Sequence, residues 1–170
     1  MRWRITIGGR VQGVGFRPFV AKLAGELGLA GVVGNDVHGA FIEVQGALER
    51  LQDFRRRLSA EAPPLARLGT ILHSDIAELS APGFAIVASA DGAQPSLAIT
   101  PDAAICPACA REIADPSDRR FGHAFANCTD CGPRYAIITA VPYDRPNTTM
   151  AGFAMCAACR REYEDPRNRR

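Results

Sequence analysis

Four cysteines in two closely spaced pairs constrain this chain of 170 residues more than any other feature. Cys106 and Cys109 form the first Cys-x-x-Cys pair, Cys128 and Cys131 form the second, and 18 residues separate the pairs. This spacing is typical of a zinc site in which each pair supplies two thiolates from a tight turn. Because four thiolates complete a tetrahedron, we predict a structural zinc ion with no open coordination position.

Disulfides, a redox-active pair and buried free thiols are the alternatives for these cysteines. The chain has no apolar run of about 18 residues, and its first residues do not form a secretory signal. We therefore expect a cytoplasmic protein whose reduced thiols favour metal binding over disulfides. His123 lies between the two pairs, but four thiolates leave it no position on the metal. The net charge of +2 gives no argument for a nucleic-acid or membrane partner.

The first cysteine pair belongs to an internal repeat with an offset of 50 residues. We call residues 106–120 the first repeat and residues 156–170 the second repeat. Each begins with Cys-x-Ala-Cys, continues through Arg-Glu and Asp-Pro, and ends with Arg-Arg. Such self-similarity predicts two copies of one structural unit. We assign a complete four-cysteine unit to residues 105–150 and an incomplete second unit, with Cys156 and Cys159 as half of a second zinc site, to residues 151–170.

The unfinished second unit is most simply explained if this sequence is part of a longer chain. A redox-active dithiol at Cys156 and Cys159 is the alternative. It is less favoured because no thioredoxin-like alternation of strands and helices surrounds the pair.

Residues 1–90 carry the periodicity of an α+β domain. Alternating apolar residues predict a strand from Trp3 to Ile7, and helical spacing follows from Phe16 to Leu27. The remaining predicted elements are strands at 31–35 and 40–45, a helix at 48–58, a strand at 67–74 and a short strand at 84–87. Up to the strand at 67–74 the order is β-α-β-β-α-β, which is typical of a ferredoxin-like fold. Residues 91–104 are small and polar, and we interpret them as a linker.

A glycine-rich segment, Gly9-Arg10-Val11-Gln12-Gly13-Val14-Gly15-Phe16-Arg17, joins the first strand to the first helix. Glycines allow successive backbone N–H groups to turn towards one anion, and the start of a helix adds its positive end. Arg17 can bind two oxygens of a phosphate. By spacing alone, the segment is equally compatible with a plain turn.

In the identity and order of its residues, the glycine-rich segment closely resembles the signature of the acylphosphatase family. Residues 27–35, which end in Gly34-Asn35, resemble that family's second motif when taken with Gly39. The resemblance implies phosphate binding by Val11, Gln12, Gly13, Val14, Gly15, Phe16 and Arg17, and a catalytic pair of Arg17 and Asn35.

With the cysteine pairs added, the whole chain resembles the N-terminal part of the HypF family, the carbamoyltransferases of [NiFe]-hydrogenase maturation. The run from Pro142 to Met150 contributes to this resemblance. It implies hydrolysis of carbamoyl phosphate to carbamate and phosphate. In the full-length family it also implies ATP and a HypE-type partner protein with a C-terminal cysteine.

Two other functions remain open. One is a zinc module that binds nucleic acid or protein beside an inactive scaffold, supported by the arginines of the second repeat. The other is a general acylphosphatase that acts on several acyl phosphates.

Overall fold

The computed structural model describes residues 1–36, 39–80, 82–87, 103–132, 134, 137–140, 145–165 and 167–170. The predicted linker at 91–104 lies mostly outside these residues, as do Val37 and His38 between the predicted strands at 31–35 and 40–45. None of the helices within the described ranges combines the length and apolar character required to cross a membrane.

The first 86 residues form a five-stranded sheet with two helices, which confirms the predicted α+β ferredoxin-like fold. The elements are β1 (Arg2–Arg10), α1 (Phe16–Glu26), β2 (Ala30–Asp36), β3 (Gly39–Gln45), α2 (Leu48–Ala60), β4 (Arg67–Ile76) and β5 (Phe84–Ile86). The strand order is β4-β1-β3-β2-β5. The strands pair antiparallel except for β5, which adds to β2 in parallel.

Both helices cover one face of this sheet and enclose a single apolar core. The alternation predicted for β1 is observed, since Trp3, Ile5 and Ile7 are buried while Arg4 is exposed. From the helices, the core receives Phe16, Val20, Leu23 and Ala24 of α1 and Leu51, Phe54 and Leu58 of α2. This core fixes the loops at the ends of β1 and β2.

The opposite face of the sheet carries charged side chains in cross-strand pairs. Arg4 of β1 lies directly opposite Glu43 of β3 in the register, and their side chains form a 2.6 Å ion pair. Arg2 reaches the same carboxylate at 2.5 Å. These pairs keep that face polar, so the sheet buries one face against its helices.

The two cysteine repeats each form a short helix with the same ends. These helices are α3 (Pro107–Ala114) and α4 (Ala157–Glu164). Cys106 and Cys156 stand at the two N-caps with nearly identical backbone angles, and Asp115 and Asp165 stand at the two C-caps. The sequence repeat is therefore also a structural repeat.

Alanine substitutions at one buried and one exposed leucine test the assigned core. We expect Leu58→Ala to lower the free energy of unfolding by about 2–5 kcal/mol, since it leaves a cavity beneath α2. Leu72→Ala removes a side chain that is 64% exposed on β4 and should change it by less than about 0.5 kcal/mol. Urea denaturation measures both values, and equal losses would contradict the assigned core.

Candidate active site and zinc centre

The glycine-rich segment has the backbone conformation of an anion-binding nest. Gly13 (φ 68°) and Gly15 (φ 75°) lie in the left-handed region, and Gly15 directly precedes α1. Left-handed glycines in a turn bring neighbouring N–H groups to one side of the chain. Among the backbone hydrogen bonds between described residues, none uses the N–H of Gly13, Val14 or Gly15 as donor. These groups can therefore donate to a ligand.

Apolar side chains hold this segment in place. Val11, Val14 and Phe16 are buried in the core beneath the segment. Because these three side chains are anchored in the interior, the intervening backbone is fixed at the edge of the sheet. The cradle is thus formed before any ligand binds, which reduces the ordering that binding would require.

The sheet brings Asn35 to the same edge as the glycine-rich segment. β3 pairs antiparallel with both β1 and β2, so the C-terminal ends of β1 and β2 lie at one edge. The Gln12 side-chain amide connects the two ends, donating to the carbonyl oxygens of Gly39 (2.9 Å) and Asp36 (3.3 Å). The two regions predicted to act together are therefore held next to one another.

Asn35 has the environment of a functional asparagine. Its side chain is only 3% exposed, and its Oδ1 has no hydrogen-bond partner among the described residues. A buried polar atom without a partner costs about 1–3 kcal/mol, which favours a role for it in binding a water or ligand. Arg17 is half-buried in the first turn of α1, directly after the cradle. The catalytic roles of both residues stay predictions.

The four predicted zinc ligands converge on one point. The sulfur atoms of Cys106, Cys109, Cys128 and Cys131 all lie within 4.8 Å of one another. The separation is 3.6 Å for Cys106–Cys128, 3.6 Å for Cys128–Cys131 and 3.8 Å for Cys109–Cys131. A tetrahedron with Zn–S bonds of about 2.3 Å has edges of about 3.8 Å, whereas a disulfide needs about 2.05 Å. The sulfur geometry fits one structural zinc ion and excludes disulfides.

Local hydrogen bonds orient these sulfurs. Cys106 caps α3 and its sulfur accepts the Cys109 N–H at 3.5 Å. Burial opposes ionisation of the Cys109 thiol, but hydrogen bonds from Arg169 and from the other cysteines outweigh it and lower its pKa. Burial raises the pKa of the Cys128 thiol, a cost that a bound cation would offset. His123 is exposed beside Phe125 and lies outside the cluster.

The third cysteine pair repeats the turn of the first pair without the full ligand set. The Cys156 sulfur accepts the Cys159 N–H at 3.5 Å, as Cys106 does from Cys109. Within the described residues, these two cysteines belong to no cluster of three or more metal-ligating groups. Their role in a second zinc site stays a prediction.

The second cysteine pair packs against the glycine-rich segment, a contact that the sequence did not reveal. A Cβ built on Gly15 would lie 2.5 Å from the Thr129 carbonyl oxygen. A Cβ built on Gly132 would lie 3.1 Å from the Gly13 carbonyl oxygen. The zinc-binding turn and the cradle therefore touch backbone to backbone. The glycines at both places were the only sequence signal, and glycine-rich turns have many other causes.

Alanine substitutions at Gly15, the N-cap of α1, and at Gly25 within α1 test this contact. We expect Gly15→Ala to destabilise the protein, because its φ is left-handed and its new Cβ would meet the Thr129 carbonyl. Gly25→Ala adds a Cβ with no neighbour within 4 Å and should stabilise α1 by about 0.5–1 kcal/mol. Denaturation of the zinc-loaded variants compares them, and a Gly15→Ala variant as stable as wild type would contradict the contact.

Zinc content tests the metal assignment. We expect Cys109→Ser to lose the tightly bound zinc, because it removes a buried ligand from the cluster. Cys156→Ser should keep one zinc per chain, since Cys156 is exposed and lies outside that cluster. Metal analysis after dialysis against a weak chelator gives the stoichiometry. Stoichiometric zinc in Cys109→Ser would refute this ligand set.

Two family models match separate parts of the chain. The acylphosphatase model matches residues 3–86, and the HypF finger model matches residues 105–138. The acylphosphatase of Synechococcus is 40% identical over 86 residues, which are 50% of this chain and 73% of that protein.

Longer relatives match nearly the whole chain. The carbamoyltransferase HypF2 of Cupriavidus necator is 52% identical over 155 residues, which cover 90% of this chain and 19% of that protein. The crystal structure of full-length HypF in its phosphate- and nucleotide-bound form superimposes with a TM-score of 0.89 at 41% identity. That match covers 99% of this chain and 22% of that structure. The chain thus spans about a fifth of the length of these relatives.

Proposed function

Because this chain belongs to the acylphosphatase family and corresponds to the N-terminal region of the HypF carbamoyltransferases, we propose that it hydrolyses carbamoyl phosphate to carbamate and phosphate. The observation that carries the proposal is the position of Asn35. Its buried Oδ1, which has no hydrogen-bond partner among the described residues, lies at the sheet edge that also holds the glycine-rich segment. An anion cradle beside a fixed amide can hold a phosphoryl group and position a water, which suits phosphoryl hydrolysis by positioning and electrostatics.

In this reaction, water attacks the phosphorus atom, the bond from phosphorus to the carbamoyl oxygen breaks, and carbamate leaves. The N–H groups of Gly13, Val14 and Gly15 and the guanidinium of Arg17 hold the phosphoryl oxygens and stabilise their charge. The Asn35 amide positions the water and does not act as a base, because an amide does not titrate. The water's proton passes to a phosphate oxygen or to solvent. Catalysis rests on positioning and electrostatics.

We further propose that the full-length protein uses the carbamoyl group to supply a cyanide ligand during [NiFe]-hydrogenase maturation. The steps that need ATP and a HypE-type partner protein then belong to parts of the relatives that this chain does not span. The zinc region acts as a rigid joint beside the cradle. A cytoplasmic location agrees with six free thiols, which such a compartment keeps reduced.

A general acylphosphatase activity is the second candidate, favoured by the match to free-standing acylphosphatases. The argument for nucleic-acid binding weakens, because four of the five arginines of the second repeat form ion pairs with carboxylates of this chain. Arg169 and Arg170 pair with Glu112, Arg160 pairs with Glu164 and Arg167 pairs with Asp165.

Phosphate release from carbamoyl phosphate and acetyl phosphate tests the proposal. We expect Arg17→Ala and Asn35→Ala each to reduce turnover by about 10²–10³-fold, the usual loss for a preorganised hydrogen-bonding group. Asn35→Ala should change the free energy of unfolding only slightly, because removing a buried oxygen that has no partner among the described residues offsets the small cavity that the substitution leaves. Thermal unfolding and zinc content, measured on the same samples, separate lost chemistry from lost structure.

Arg55→Ala is the matched control, since Arg55 is an exposed arginine on α2 and lies outside the glycine-rich segment. Its turnover should equal that of wild type. Normal turnover in both Arg17→Ala and Asn35→Ala would show that the site is wrongly assigned. Equal rates on the two substrates would favour the general acylphosphatase.

A further inference from the structure

An arginine of each cysteine repeat donates a hydrogen bond to a cysteine of the other repeat. The Arg169 guanidinium of the second repeat donates to the Cys109 sulfur at 3.1 Å. The Arg119 guanidinium of the first repeat donates to the Cys159 sulfur at 3.2 Å. The 50-residue offset relates both the two arginines and the two cysteines. Each repeat therefore donates a hydrogen bond to the equivalent cysteine of the other repeat.

A glutamate in each repeat accepts hydrogen bonds from arginines of the other repeat. Glu112 accepts hydrogen bonds from Arg169 and Arg170, and Glu162 accepts them from Arg119. Glu112 and Glu162 are also related by the 50-residue offset. Charge-assisted hydrogen bonds of this kind are about twice as strong as neutral ones, and they fix the direction of the guanidinium.

The backbone around Arg169 is fixed as well. The Thr129 N–H donates to the Arg169 carbonyl oxygen at 2.7 Å, and the Arg170 guanidinium donates to the Asn127 carbonyl oxygen. Thr129 lies between the second pair of zinc ligands, Cys128 and Cys131. The end of the second repeat is thus bound to both halves of the first zinc site.

A guanidinium N–H at this position has a specific effect on a zinc site. Four thiolates and one Zn²⁺ carry a net charge of −2, and Cys109 is fully buried. Burying uncompensated charge is costly, and a donor to a ligating sulfur offsets part of that cost and orients the ligand. Groups in this outer position change metal affinity although they do not touch the metal.

We propose that Arg169 is a positioning residue for the first zinc site, so that the second repeat controls how tightly the first site holds its metal. The reciprocal contact of Arg119 with Cys159 serves a site that includes the third cysteine pair. This proposal concerns metal retention and does not depend on whether the cradle hydrolyses an acyl phosphate.

The test measures zinc affinity with one equivalent of metal against a chromophoric chelator. We expect Arg169→Gln to weaken zinc binding about 10–100-fold, the usual effect of removing an outer hydrogen-bond partner. Arg119→Gln is the matched control, because it removes an equivalent arginine–glutamate pair between the repeats but leaves Cys109 untouched. Its zinc affinity should stay within about twofold of wild type. Equal losses in both variants, or no loss in Arg169→Gln, would overturn the proposal.

A second measurement reports on the sulfur itself and guards against a folding defect. In cobalt-loaded protein, Arg169→Gln should shift the thiolate-to-cobalt charge-transfer band to lower energy, because a thiolate without its donor gives up electron density more readily. Arg169→Lys, which keeps the charge and can still donate an N–H hydrogen bond but lacks the planar guanidinium, should give an intermediate band and affinity. An unchanged band in both variants would refute the Arg169–Cys109 interaction.

Discussion

The pairing of β3 with both β1 and β2 is the constraint on which the active-site geometry depends. Because both pairings are antiparallel, the glycine-rich segment after β1 and Asn35 near the end of β2 must meet at one edge of the sheet. The core beneath that edge anchors Val11, Val14 and Phe16. A cradle of backbone N–H groups thus acquires a fixed position relative to a side-chain amide 20 residues away in the sequence.

The zinc region is stabilised in a different way. Its buried cluster consists of Cys109, Cys128 and Cys131, packed with the half-buried Cys106, so metal–sulfur bonds take the place of an apolar core. Around them, arginines and glutamates of the two repeats form ion pairs, of which the pair of Arg169 with Glu112 is half-buried. The same region lies against the cradle through Thr129 and Gly15, so the backbones of the two sites are in direct contact.

Some of this organisation could be predicted because it depends on local patterns. Alternation at Trp3, Ile5 and Ile7 predicted β1, and helical spacing predicted α1 and α2, because both periodicities follow directly from backbone geometry. The spacing of Cys106, Cys109, Cys128 and Cys131 predicted their convergence, since four thiolates satisfy one tetrahedral ion. The parallel addition of β5 to β2 was not predicted, because neighbours in a sheet depend on tertiary packing and leave no local signal.

By itself, the sequence determined the order of strands and helices, the zinc ligand set and the existence of two repeats, because each follows from residue type and spacing. Only the tertiary structure decided that Gln12 bridges to the end of β2, that Thr129 packs on Gly15 and that Arg169 reaches Cys109. These contacts join residues 24 to 114 positions apart. The residues next to an arginine in the sequence do not predict which distant sulfur or carboxylate it will contact. That contact depends on the packing of helices and strands, which determines where the guanidinium lies.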